Sequence, residues 1–278
     1  MTDRLWLGRF EAGELSNDAY HAAPGVSKTH LDVIANGSPR HYWQQYINPK
    51  RGPAHKTDAL RVGDAIHSAI LQPDLFASNF AAKPVCDKRT TEGKAVYAEF
   101  LRTKGNRIEL SALEYEWCVR IRDSVYAHKI ARGLLKGGKA EHSFFTKEAE
   151  TGELVKCRPD YLHDAGDLIV DIKSTTDAHP DTFSKDATNY MYDLAVPWYF
   201  DIVRAVTGTP PRHWVWIVIE KEEPYAVGIY YAQKHDIIRA RDTCRRYLME
   251  IARQRKLGTW EDYGSEVRPL VMKPWARR

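Results

Sequence analysis

The chain predicts a mixed α/β fold built on one central sheet, because its elements read in the order helices, three strands, helix, two strands, helix. Two features carry that expectation: helical apolar spacing dominates the first half, and short strand-like runs bounded by turn residues begin near residue 141. Ser27 can cap a helix through Leu31, Val33 and Ile34 that stops near Asn36-Gly37-Ser38-Pro39. Ala65, Ile66, Ala69 and Ile70 mark the apolar face of a second helix from Gly63 to Leu71, ended by Gln72-Pro73-Asp74. Between the two lies a basic loop, Pro49-Lys50-Arg51-Gly52-Pro53. A third helix is expected from Ser111 to Leu135, closed by Gly137-Gly138.

Glu141–Lys147 and Leu154–Arg158 then predict two strands around Glu150-Thr151-Gly152-Glu153, and Leu168–Lys173 a third after Asp164-Ala165-Gly166-Asp167. A helix should run from about Thr188 to Val206, kinked or divided at Pro197. Trp214–Glu220 and Tyr225–Tyr231 form a hairpin around Lys221-Glu222-Glu223-Pro224, and a basic helix from Lys234 to Lys256 ends at Gly258. No repeat, low-complexity tract or long linker interrupts the chain. It reads as a single domain, 1–278, with a mainly helical part over 1–138 and the sheet core and basic helix over 139–278.

A hydrophobic share of 43% with 28% charged residues is ordinary for a globular protein. Met1-Thr2-Asp3-Arg4 leads into mixed charged and aromatic sequence, and no segment approaches roughly 18 uninterrupted apolar residues. The expectation is a cytoplasmic protein with no membrane contact. The formal net charge of +4 permits a polyanionic partner without requiring one. Cys86, Cys118, Cys157 and Cys244 are scattered, with no CxxC pair, so no zinc site is expected and the cysteines read as reduced thiols.

The informative stretch is Cys157-Arg158-Pro159-Asp160 followed, after ten intervening residues, by Asp171-Ile172-Lys173-Ser174-Thr175. A strand has a side-chain period of two, so Asp171 and Lys173 share a face while Ile172 points into the opposite layer. Leu168, Ile169 and Val170 make that strand apolar enough for a central position. Asp160, ending the preceding strand, could reach the same place through a hairpin turn. Two carboxylates and an ammonium at one point suit metal-assisted phosphodiester hydrolysis: carboxylates hold Mg²⁺, and the ammonium orients water or offsets developing charge. Asp-x-Lys alone is weak, and a salt-bridged strand end would explain the tripeptide equally.

The surrounding blocks are more specific. Leu15-Ser16-Asn17-Asp18-Ala19-Tyr20-His21, Pro24–Lys28, Val62-Gly63-Asp64-Ala65-Ile66-His67, Leu71-Gln72-Pro73-Asp74 with Phe76, Arg158-Pro159-Asp160, Asp171–Thr175, Tyr192-Asp193 and Trp198-Tyr199 occur in this order. Together they resemble the RecE-type exonucleases, in the RecB-like branch of the PD-(D/E)xK nucleases, over most of residues 15–201. The resemblance implies a restriction-endonuclease-like core, a central mixed sheet flanked by helices. It also implies Asp160 and Asp171 as metal-binding acids, Lys173 as the catalytic lysine, and His67 as an extra metal ligand. A lone histidine on an apolar helix face would otherwise be read as structural.

Glu141 resembles a family acid near the metals, and Ser174, Thr175, Tyr192, Asp193 and Tyr199 are supporting candidates. One departure is Ala195, where the family commonly has glutamine, four residues before Tyr199. The resemblance further implies Mg²⁺ or Mn²⁺, action on double-stranded DNA ends with 5′-to-3′ resection, a ring-like homo-oligomer, and an annealing recombinase as partner. No iron–sulfur cluster is expected, since only Cys244 follows the core strands. Arg158, Arg241 and Arg245 are candidates for phosphate contact, although a solvated face explains the basic helix as well. Two alternatives stay open: a structure-selective or single-strand nuclease, and a catalytically weakened DNA-binding protein that keeps the fold.

Overall fold

The computed structural model describes residues 6–52, 57–264 and 266–272; the N-terminal tetrapeptide considered above and Pro53 of the basic loop lie outside them. The first half carries β1 (Gly8–Phe10), α1 (Asn17–Ala22), α2 (Lys28–Asn36), α3 (Pro39–Tyr42), α4 (Asp58–Leu71), α5 (Pro73–Asn79), β2 (Phe80–Ala82), α6 (Thr91–Lys104), β3 (Ile108–Leu110), α7 (Ala112–Ala127) and α8 (Lys129–Leu134). The second half carries β4 (Gly138–Ala140), β5 (Ser143–Lys147), β6 (Leu154–Cys157), β7 (Tyr161–His163), β8 (Leu168–Thr175), α9 (Pro180–Asn189), α10 (Ala195–Thr207), β9 (His213–Glu220), β10 (Val227–Tyr231) and α11 (Lys234–Leu257).

Local chemistry accounts for where several helices differ from expectation. The second predicted helix begins earlier, at Asp58, because Thr57 Oγ1 accepts from Leu60 N at 3.3 Å. Pro73 does not merely stop it but opens α5 from the first turn, where a missing N–H costs nothing. The long helix expected over 111–135 is two helices. Ser111 and Glu114 form a capping box at the start, and His128 leaves helical geometry to cap α8 through Nδ1. The helix expected from Thr188 is likewise divided. A left-handed Met191 and a short 3₁₀ turn, Tyr192–Leu194, separate α9 from α10, and Pro197 falls in the first turn of α10.

The largest sheet has the order β10-β9-β8-β7-β4, with β8 and β9 parallel and the other pairs antiparallel. A parallel pair needs a crossover, and α9 with α10 supplies it. Leu31, Trp198, Val203, Trp214, Trp216, Cys244 and Leu248 belong to the core on one face; Ile66, Ile70, Cys118, Ile121, Val170, Ile172 and Ile217 belong to the core on the other. Helices therefore cover both faces of a mixed sheet, the arrangement of a PD-(D/E)xK core.

One expectation is corrected. The hairpin of β5 and β6 is not part of this sheet but pairs with β1 in a separate three-stranded one. Residues 138–140 pair with 161–163 in the large sheet, whereas 144–147 pair with 154–157 in the small one. Both strands change sheets at the same level. The crossing is tied by Glu141 N donating to Asp160 O at 3.1 Å, and Glu141 accepts a positive φ of 57° there. Pro159, with no N–H, cannot continue the β6 ladder, which helps end that strand.

Candidate active site

The sheet crossing brings the predicted acids together. Asp160 does not end β6; it stands just before β7, and its Oδ2 accepts from Ile172 N on β8 at 2.7 Å. His67, projecting from α4, places Nδ1 3.4 Å from that same oxygen. Candidate ligand atoms of His67, Glu141 and Asp160 all lie within 4.8 Å of one another. Left-handed backbone at Glu141 is costly for a residue with a Cβ, on the order of 1–3 kcal/mol, and such strain concentrates at functional positions.

On β8, Asp171 and Lys173 share the face opposite Val170 and Ile172, as the period of two requires. Lys173 Nζ contacts the buried Asp171 Oδ2 as an ion pair. The same ammonium sits 5.1 Å from the Tyr192 ring centroid. Asp171 is not one of the three ligand atoms gathered within 4.8 Å, yet Asp160 and His67 both act on its charge.

A family model described as "PDDEXK-like domain of unknown function (DUF3799)" matches residues 36–267. The chain belongs to this family. Among solved structures, a "Putative exonuclease" from Eubacterium rectale is similar at 16% identity with a TM-score of 0.64, covering 95% of this chain and 98% of that one. That likeness shows a shared fold. A phage-related exonuclease from Haemophilus somnus 129PT is 14% identical with a TM-score of 0.35, covering 61% of this chain and 85% of that one. No curated protein matches the chain.

The electrostatics of this PDDEXK-like domain are those of a crowded acidic site. Burial and the adjacent Asp160 carboxylate push Glu141 up to about 7, against the pull of His67 and Arg158. Burial would raise Asp160 too, but His67, Lys173 and the Ile172 N–H outweigh it and hold Asp160 below its ordinary value. His67 responds in kind. Burial opposes its charge, and Asp160 overrides burial to lift it to about 9. Burial raises Asp171, with Lys173 opposing, while Asp171 and Asp160 keep Lys173 charged despite its burial.

Glu141 and Asp160 repel one another at this separation, Asp160 also raises Asp171, and burial makes each of these negative charges costly. The donor set of one imidazole and carboxylate oxygens suits Mn²⁺ or Mg²⁺, so the residues present fit a divalent cation.

The remaining predicted residues are placed as follows. Tyr199 on α10 lies beside the acids: burial, Tyr20, Cys157, Asp171 and Asp160 together raise its hydroxyl well above the ordinary value. Its ring packs edge-on to Trp214 at 5.4 Å. Asp193 is not brought to the site and has Lys28 among its charged neighbours. Ser174 and Thr175 line a cavity past Lys173. Ala195 starts α10 and packs against the core.

The expectation that Arg158 contacts DNA is corrected. Its guanidinium is buried, donating to Ser143 Oγ at 2.8 Å and Leu15 O at 2.7 Å, stacked 4.4 Å over Tyr20, with Nη1 4.0 Å from Glu141 Oε2. It braces Glu141. Arg241 and Arg245 are exposed, but each is held by a carboxylate, Asp201 and Glu150 respectively, through two hydrogen bonds. Sequence reasoning missed the bracing role of Arg158 and the exposed Tyr190 next to Tyr192. The first depends on contacts over more than a hundred positions, and the second carried no signal beyond one aromatic residue among many.

Proposed function

We propose that this chain is a divalent-metal-dependent nuclease that hydrolyses DNA phosphodiester bonds, acting as an exonuclease on double-stranded ends. The observation carrying this reading is the meeting of His67, Glu141 and Asp160 within 4.8 Å beside the Asp171–Lys173 pair. Asp160, with His67 and Glu141, would hold the metal, and Asp171, paired with Lys173, would complete the acidic side of the site. A bound metal supplies polarisation of the phosphoryl oxygen and a lower pKa for a bound water. The chain's own groups do the rest. Asp171 positions the Lys173 ammonium, which offsets charge gathering on the phosphoryl oxygens as water attacks phosphorus and the sugar oxygen leaves. Arg158 keeps Glu141 in place, and the Ile172 N–H fixes the Asp160 carboxylate.

His67 favours Mn²⁺ over Mg²⁺, because imidazole nitrogen suits transition metals and Mg²⁺ prefers oxygen. Resemblance of the sequence blocks to RecE-type enzymes supports 5′-to-3′ resection feeding an annealing recombinase. The test is digestion of end-labelled linear duplex, with closed circular DNA as control, in Mg²⁺, in Mn²⁺ and in EDTA. Release of short products from linear DNA in either metal, with none in EDTA, is expected. Equal cutting of the closed circle would exclude end-dependence, and no cutting in either metal would remove the nuclease reading.

A further inference from the structure

Beyond Lys173, the end of β8 and the turn into α10 enclose a cavity of about 150 Å³ whose wall includes Thr175, Asp186, Tyr190, Tyr192 and Lys221. The hydrolysis proposed above has no use for Tyr190 or Lys221. Tyr190 is 60% exposed at the rim of this polar cavity. It is also built into its position. Met191, at φ 50° and ψ 47°, is left-handed, and the two flanking tyrosines stack at 5.7 Å with 20° between their planes. Lys28 Nζ fixes the Tyr190 carbonyl at 2.9 Å and lies 5.9 Å from the Tyr192 ring centroid. Tyr192 is in turn 5.1 Å from the Lys173 ammonium. An aromatic step therefore leads from the proposed cleavage point to solvent, with one ring still largely uncovered.

The ligand that this step fits is flat, carries a π-face, and is attached to an anion. A nucleobase with its phosphate has that chemistry, and stacking on an aromatic side chain serves every base. Inside a duplex both faces of a base are already stacked, so a base reaches the step when it is unpaired or extruded, as a frayed nucleotide at an end is. Lys221, across the cavity, supplies a cation for the phosphodiester. Asp186, 3.5 Å from Thr175 Oγ1, makes its own side unfavourable for phosphate and offers an acceptor to base amino groups. We infer that Tyr190, seated on Tyr192, is a stacking platform for an unpaired nucleobase next to the phosphate to be cut, with Lys221 on that nucleotide's backbone. The location beside a scissile phosphate rests on the nuclease reading above; the base-stacking chemistry does not.

Binding in EDTA separates the two. The full chain is titrated with duplexes ending in a short single strand, on either polarity, that carries 2-aminopurine at an unpaired position. Wild type should bind and quench the fluorophore. Tyr190→Ala should bind roughly tenfold more weakly, the size of one lost stacking contact, and lose the quenching, while Tyr190→Phe keeps both. An abasic nucleotide at the same position should erase the difference between wild type and Tyr190→Ala, which a general disturbance of the surface would not do. Unchanged binding and quenching in Tyr190→Ala, an equal deficit on abasic DNA, or no binding of any such end by wild type would each overturn the platform. Quenching that depends on Tyr190 in a protein that cuts no DNA in Mg²⁺ or Mn²⁺ would uphold the platform and sink the nuclease reading instead.

Discussion

Asp171 and Lys173 reach the site together through the period of β8, Asp160 through the change of sheets, and their substitutions should fail differently. Asp171→Ala and Asp160→Ala should both abolish cleavage, since each removes a carboxylate from the acidic cluster while the strands around them stay packed. Circular dichroism beside digestion checks this, and near-parental cutting by a folded variant would refute the assignment. Lys173→Ala should lose most of the rate yet still bind metal, because its ammonium acts on charge at the phosphate; calorimetry with Mn²⁺ distinguishes the two. Glu141 makes the sharper case. Its carboxylate meets His67 and Asp160 from a backbone held at φ 57°. Glu141→Gln should raise the half-saturating metal concentration at least as much as the ten- to hundredfold typical of losing an outer-shell partner. A metal titration of cleavage that overlays the parent's would return Glu141 to a structural role.

At the scale of elements, the sequence was most informative where the chemistry is local. The hairpin of β9 and β10, the capped helix α2 and the amphipathic α11 follow from period, caps and turns within a few residues. The sheet change at Glu141 and Asp160 does not, because it is decided by which distant strand each segment pairs with. The three-residue strands β1, β2 and β3 are too short to show a period at all.

Lys156, on β6, illustrates the gap. Nothing local marks it as a core residue, yet its ammonium is buried and caps the end of α1, donating to Tyr20 O at 2.8 Å and Ala23 O at 2.6 Å. Lys156→Met should leave those carbonyls unsatisfied and cost about 1–3 kcal/mol. Burial, with Arg158 adding to it, lowers the Lys156 pKa to about 8 from an ordinary 10.5. Between those two values the unfolded chain holds more protons than the folded one, so this lysine's contribution rises with pH across that window. Chemical denaturation of wild type and Lys156→Met at pH 7.5 and 10 should show the gap widening at the higher pH; a gap that narrows would mean the ammonium is favoured in the fold.

At the scale of the whole molecule, the question is which cations meet DNA. A net charge of +4 is small, so affinity depends on where unpaired cations lie rather than on their sum. On α11 several cations are already paired: Arg241 and Arg245 face Asp201 and Glu150, and Arg253 faces Glu250 and Glu261. A guanidinium already held by two hydrogen bonds must give up that partner before it can release a counterion from phosphate. Among the described residues, Lys221 on the cavity rim beside the Tyr190–Tyr192 step makes no ion pair, Asp186 lying elsewhere in the same wall. Each phosphate contact contributes about 0.9 to the slope of log affinity against log salt on B-DNA and about 0.7 on a single strand. Lys221→Ala should therefore flatten that slope by roughly one contact, whereas the double variant Arg241→Ala/Arg245→Ala should leave it unchanged. Equilibrium binding in EDTA from about 50 to 200 mM salt measures both. A loss of two contacts' worth of slope in the arginine variant would show that the ion pairs open on binding and that α11 lies along the DNA after all.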